Sequence, residues 1–89
     1  MVESGDLLAR YLVSDVQESP EVARMLLELV DRVEAGDLDS WEGTGNAWTL
    51  ALAPEGATLY PEFALDAEPL HVSLAELREA LSGWLASLG

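Results

Sequence analysis

The sequence predicts an α+β domain in which a small antiparallel β-sheet packs against two helices. Three observations support this fold class: two segments with apolar residues at helical spacing, an alternating segment between them, and a Pro-x-Gly turn inside the alternating segment. With 89 residues the chain has the length of one domain, so we expect residues 1–89 to share a single core.

The N-terminal segment DLLARYLVSDVQ allows two interpretations. The apolar positions of residues 7–16 fit one face of a helix, whereas residues 11–13 fit a β-strand equally well. A hairpin of two strands is only marginally stable by itself, so a further strand would support the sheet. We therefore favour a strand over residues 10–14, with a helix as the alternative.

The segment SPEVARMLLELVDRVEAG predicts a helix over residues 19–35. Ser19 suits the N-cap, Pro20 the first helical position and Gly36 the left-handed residue after the helix end. The apolar residues of this segment recur at intervals of three and four and form one stripe: Val22, Met25, Leu26, Leu29, Val30 and Val33.

The segment AWTLALAPEGATLYPEF predicts a β-hairpin with strands over residues 47–52 and 57–63. Pro54 and Gly56 fit the second and fourth positions of a type I turn that is closed by a glycine bulge. Pro61 cannot donate a hydrogen bond to a β-ladder, so we expect the second strand to lie at an edge or to end there.

A short strand over residues 70–72 is expected to lead directly into a second helix over residues 73–88. Ser73 and Glu76 have the spacing of a capping box, in which each side chain accepts from a backbone N–H at the helix start. The apolar stripe of this helix contains Leu74, Leu77, Leu81, Trp84, Leu85 and Leu88.

Charge is the strongest signal in the composition. Seventeen acidic residues stand against four arginines, and the formal net charge is −13. No Lys or Arg lies between Arg32 and Arg78. Such a surface repels nucleic acids and anionic membranes, because phosphates are neutralised by Lys and Arg. It would attract a basic protein, although a high net charge also serves solubility alone.

No motif of a catalytic, cofactor or metal site is found. The absence of cysteine excludes thiolate zinc sites. Asp37, Asp39 and Glu42 lack the spacing of a calcium loop. His71 is the only histidine, and we expect it at the surface or its boundary. We therefore expect a protein that is not an enzyme and that holds no cofactor or metal.

The loop Gly43-Thr44-Gly45-Asn46 has the composition of a phosphate-binding loop. It precedes a strand instead of opening a helix, and the lysine of a P-loop is missing. We interpret it as a turn in which the glycines have positive φ and the amide of Asn46 caps the strand entry.

The start of the sequence has no basic segment followed by a long apolar one, and no apolar run reaches the roughly 18–20 residues that span a bilayer. We therefore expect a cytoplasmic protein without a signal peptide.

Trp48 and Trp84 fall on the predicted core stripes, whereas Trp41 lies outside both patterns. Trp41 is interpreted either as a lid over the sheet edge or as an aromatic anchor among carboxylates, which suits the binding of a basic partner. Tyr60 lies opposite the core face of its strand and would join that anchor. The candidate partner-binding residues are Trp41, Glu42, Asp39, Asp37, Tyr60 and Glu62.

The segments SWEGTGNAWTLAL, PEGATLYPEF and EPLHVSLAELREALSGWLASLG resemble two groups of small bacterial proteins. One is the uncharacterised YacL-like family, and the other comprises the immunity proteins of polymorphic or contact-dependent toxin systems. The second resemblance implies a protein that binds a basic, nuclease-like toxin and covers its active site with acidic side chains. The alternative is a homodimeric protein without a basic partner, which pairs through the sheet edge at residues 60–61 or through a helix face.

Overall fold

A computed structural model describes residues 4–62 and 68–88 of the chain. Its strands form one antiparallel sheet in the order β1-β2-β3-β4, so the predicted α+β class is confirmed. The elements in chain order are α1 (Ser4–Tyr11), a π-helical turn (Leu12–Val16), α2 (Pro20–Ala35), β1 (Trp41–Thr44), β2 (Trp48–Ala53), β3 (Gly56–Pro61), β4 (Leu70–Val72) and α3 (Leu74–Leu88).

One face of the sheet forms the core together with the helices. Strand residues that alternate along β2 and β3 point to this face and are buried, and α2 and α3 pack on each other above them. The largest fully buried side chains are Leu50, Leu52, Leu59, Leu77, Leu81, Val16, Val30 and Val33.

The predicted starts of both long helices are confirmed by their hydrogen bonds. The hydroxyl of Ser19 accepts from the backbone N–H of Val22 at 3.3 Å. The hydroxyl of Ser73 accepts from the N–H of Glu76 at 3.0 Å and donates to its carboxylate at 3.4 Å. Gly36 follows α2 with φ of +86°, the left-handed conformation that was predicted for it.

The predicted strand over residues 10–14 is wrong, because this segment is helical. α1 continues to Tyr11, and the next five residues form the π-helical turn, which is closed by a 2.6 Å hydrogen bond from the N–H of Gln17 to the carbonyl of Leu12. Helical geometry buries Leu8, Tyr11, Leu12 and Val16 on one side. A strand would have placed adjacent residues such as 11 and 12 on opposite faces.

The predicted hairpin is confirmed with shifted ends. Its strands are β2 and β3, Leu50 pairs with Leu59, and β3 ends at Pro61, which is the second of the two outcomes expected for this proline. Residue 63, the predicted strand end, lies outside the described residues. β3 is not an edge strand, because β4 pairs with its first half from Ala57 to Leu59. The edges of the described sheet are β4 and the unpredicted strand β1.

Burial of Tyr11 is expected to make the stability of the fold depend on pH in alkaline solution. Its side chain is only 4% exposed and meets the ring of Trp48 edge-on, with the ring centroids 6.5 Å apart. Burial, and secondarily the charge of Asp15, raise the pKa of the Tyr11 phenol above its ordinary value. The folded protein therefore favours the neutral phenol, whereas the unfolded chain releases the proton at a pH of about 10.

We expect this contribution to stability to be complete below about pH 10 and to be lost as the pH rises above it. The free energy of unfolding, measured in urea from about pH 8 to about pH 11.5, should fall more steeply for the wild type than for Tyr11→Phe. Parallel pH profiles for the two proteins would contradict this assignment.

Candidate functional site

The sheet face that points away from the helices is here called the outer face. Cross-strand register aligns Glu42 with Ala51, Thr58 and His71, and aligns Thr44 with Thr49 and Tyr60. Most of these side chains are small, so Glu42, Tyr60 and His71 are the larger ones on this face. Glu42, Thr44, Tyr60 and His71 are exposed, as is Glu62, which follows β3.

A chain of hydroxyl groups positions one carboxylate on the outer face. Thr49 donates to Oε1 of Glu62 at 2.5 Å, and its own oxygen lies 2.8 Å from the hydroxyl of Thr44. Because a threonine hydroxyl has a single hydrogen, Thr44 must be the donor to Thr49. The Glu62 carboxylate is therefore held beside Tyr60, which lies directly opposite Thr49 in the register.

Positive charge is confined to the helices. The four arginines lie in α1, α2 and α3. Arg78 of α3 donates to Asp31 at 2.9 Å and to Glu34 at 2.7 Å, and these bonds raise the pKa of its guanidinium. Residues 33–77, which include the whole sheet, contain acidic residues but neither Lys nor Arg. The carboxylates of the outer face therefore lack basic neighbours along the chain.

The backbone that directly follows the glycine loop holds an anionic group, and this group is the side chain of Asp15. Its Oδ1 accepts from the backbone N–H of Ala47 at 2.9 Å, and its Oδ2 accepts from the N–H of Trp48 at 3.0 Å. The side-chain amide of Asn46 donates to the carbonyl of Ser14 at 2.9 Å. Asn46 was predicted to cap the strand entry, but its side chain binds the π-helical turn instead. The loop fixes the N-terminal helical segment to the sheet.

The predicted reason for the two loop glycines is wrong. Among the described residues, the glycines with positive φ are Gly36 and Gly56, not Gly43 or Gly45. A Cβ atom at Gly43 would overlap the ring of Trp41, and one at Gly45 would lie 2.5 Å from the carboxylate of Asp15. These glycines are required because other side chains lie against their backbone.

Trp41 lies on the helix side of the sheet. It is half-buried, packs against the core and covers Gly43. It also lines a small hollow of about 190 Å³ together with Met25 of α2, which is 47% exposed. This placement agrees with the interpretation of Trp41 as a lid.

The structure brings together part of the predicted partner-binding set. Glu42, Tyr60 and Glu62 share the outer face, whereas Trp41 points to the other side of the sheet. Asp37 and Asp39 are exposed in the connection between α2 and β1. Thr44 and Thr49, which orient Glu62, were not predicted as site residues, although they follow the polar alternation that marks an exposed sheet face.

His71 is exposed, as expected, and its Nδ1 lies 3.0 Å from the hydroxyl of Thr58. Among the side chains described, those of residues 8–62 and 68–88, no three His, Asp or Glu are grouped so as to hold a metal ion. An open hollow of about 420 Å³ beside Val13 and Trp48 has almost entirely apolar walls. No helix in the described part of the chain is long and apolar enough to cross a membrane.

Comparison with protein families, with curated proteins and with solved structures gives no match to this chain. The resemblance to YacL-like and immunity proteins therefore stays a prediction.

Proposed function

We propose that this protein is a non-enzymatic acidic binding module that docks a basic protein, most specifically an immunity-type inhibitor of a nuclease-like toxin. We propose that it binds this partner in the cytoplasm, which is the compartment expected from the sequence. The observation that carries it is the outer face, where Glu42, Tyr60 and Glu62 are exposed on a sheet that contains neither Lys nor Arg.

The chemistry of this face suits the binding of cationic side chains. Glu62 is already oriented by Thr49, so less side-chain freedom is lost when a guanidinium or ammonium group binds to it. Tyr60, 42% exposed, offers a ring face for a cation–π contact beside that carboxylate. The net charge of −13 would steer a basic protein towards the chain from a distance.

The test is surface plasmon resonance against a panel of purified small basic nucleases, at about 0.05 M and about 0.5 M NaCl. We expect at least one partner whose association rate falls steeply at the higher salt concentration. The double variant Glu42→Gln/Glu62→Gln should weaken that binding about 5- to 10-fold, since an exposed ion pair contributes about 0.2–1 kcal/mol.

The matched control is Glu28→Gln/Glu79→Gln, which removes the same net charge from exposed positions on α2 and α3. We expect it to bind almost as tightly as the wild type. Equal losses for the two double variants would show that net charge acts without a defined surface. No binding at low salt, together with a dimer that persists at high salt in sedimentation, would favour the homodimer alternative.

A further inference from the structure

β1 has a free side along the edge of the sheet. It pairs with β2, and no other strand of the described residues pairs with it. The N–H of Gly45 donates to the carbonyl of Trp48 at 2.9 Å. Hydrogen-bonded pairs alternate along an antiparallel ladder, so Gly43 and Trp41 also bond towards β2. The backbone N–H and C=O groups of Glu42 and Thr44 therefore point outward from the sheet edge.

The side chains of β1 stand on both sides of this edge. Trp41 lies on the helix face and is half-buried, and Glu42 is exposed on the outer face. A strand added beside β1 would therefore place alternate side chains against the indole of Trp41 and against the carboxylate of Glu42. Asp37 and Asp39, exposed just before β1, extend the negative charge along the approach to the edge.

The negative charge beside β1 favours a basic segment over a second copy of this chain as the strand that pairs with this edge. Antiparallel pairing with β1 of a second copy would bring the two Glu42 side chains close together, between molecules that each carry a formal charge of −13. A segment with Lys or Arg at alternate positions would instead meet Glu42 with opposite charge. Its intervening apolar residues would meet the part of Trp41 that the core leaves uncovered.

We propose that a basic, extended segment of a partner protein adds to the sheet as a fifth strand along β1. This inference rests on the proposed function, since it names the segment through which a basic partner would bind. Main-chain hydrogen bonds to Glu42 and Thr44 would supply affinity, and alternate side chains would supply specificity. Edge strands with unpaired backbone groups are templates for this kind of pairing.

The probe is a seven-residue peptide of alternating Arg and Val with blocked termini, and the readout is amide hydrogen exchange by NMR. We expect the peptide to slow exchange at Glu42 and Thr44 about tenfold or more, while Gly43, already bonded to β2, changes little. The same peptide with N-methyl groups on alternate residues, which cannot complete the ladder, should have no such effect. Binding without slowed exchange at Glu42 and Thr44, or no binding at all, would overturn the inference.

A pair of variants tests the same edge with a folded partner. Thr44→Pro removes an outward N–H without removing a bond to β2, and Thr44→Val keeps that N–H while removing the same hydroxyl. Binding of a basic nuclease found in the salt-dependent screen should weaken about tenfold or more for Thr44→Pro relative to Thr44→Val. If both variants bind that nuclease equally, the edge is not the docking site even though the proposed function stands. The peptide experiment on the wild type does not depend on Thr44→Pro folding.

Discussion

Replacing Asp15 with Asn is expected to lower the free energy of unfolding by about 3 kcal/mol. The carboxylate accepts from two successive backbone N–H groups, those of Ala47 and Trp48, and Oδ1 also accepts from the hydroxyl of Ser14 at 3.0 Å. Asn offers one acceptor oxygen and turns its NH₂ group towards the other N–H. Hydrogen bonds to a charged group contribute about 1.5–3 kcal/mol each, and a donor deprived of its acceptor adds a desolvation cost.

Urea unfolding followed by tryptophan fluorescence measures this loss, provided that the slope with denaturant is unchanged. Asp39→Asn is the control, because it makes the same chemical change at an exposed position and should shift the free energy of unfolding by less than about 0.5 kcal/mol. A change of similar size in both variants would mean that Asp15 acts only through net charge.

This dependence on Asp15 explains why the loop at residues 43–46 has the composition of an anion-binding loop. The N–H groups that follow it are aimed at an anion, as in a phosphate loop, but the anion is a carboxylate of the same chain. Asp15 also accepts from the N–H of Trp48 at the position where the β1–β2 ladder would otherwise continue. The loop therefore ends that ladder and anchors the π-helical turn in one set of contacts.

The two long helices could be predicted from the sequence because their determinants are local. Ser19 and Ser73 bond to backbone groups three residues away, and the apolar stripes need only helical periodicity to become buried faces. Such signals can be recognised from the local sequence without knowledge of the rest of the fold. The observed helices begin one residue after the predicted ranges, as expected when the capping serine lies outside the helix.

The N-terminal segment could not be assigned locally, because its decisive contacts are distant in sequence. Ser14 and Asp15 bond to residues 46–48, more than thirty positions away. Trp84 of α3 donates to the carbonyl of Gln17 at 2.6 Å, and Gln17 itself has a φ of +58°. The periodicity of residues 7–16 carries no information about these interactions, because their partners lie far away in the sequence.

β1 was missed because it is short and only Trp41 and Thr44 among its four residues favour a strand. Trp41–Thr44 is only four residues long and contains a glycine, which is depleted in strands. The segment becomes a strand by pairing with β2 and by the packing of Trp41 over Gly43. Without knowledge of that strand, alternation could not show that Trp41 and Glu42 point to opposite faces. The negative charge of this region, in contrast, could be predicted by counting its acidic and basic residues.

Gly45→Ala is expected to lower the free energy of unfolding by about 2 kcal/mol. The new methyl group would lie 2.5 Å from Oδ2 of Asp15, well inside contact distance, so the carboxylate must move from the two N–H groups that it accepts from. Overpacking of this kind costs about 1–3 kcal/mol. Gly83→Ala is the control: a Cβ at this position in α3 meets nothing within 4 Å, and Ala favours a helix interior by up to about 1 kcal/mol.

A double-mutant cycle with Asp15→Ala separates this mechanism from a simple loss of backbone freedom at residue 45. If the methyl group acts by displacing the carboxylate, the destabilising effect of Gly45→Ala should shrink by about 1.5 kcal/mol once Asp15 has been shortened to Ala, and what is left reflects the Cβ of residue 15, which lies 3.2 Å from the new methyl group. The coupling energy should then be about 1.5 kcal/mol. If Gly45→Ala costs as much without the carboxylate as with it, the glycine is needed for the path of the backbone, and the contact with Asp15 is incidental. A high coupling energy would instead show that Gly45 is required to leave room for the Asp15 carboxylate, which the N–H groups of Ala47 and Trp48 hold as an internal anion.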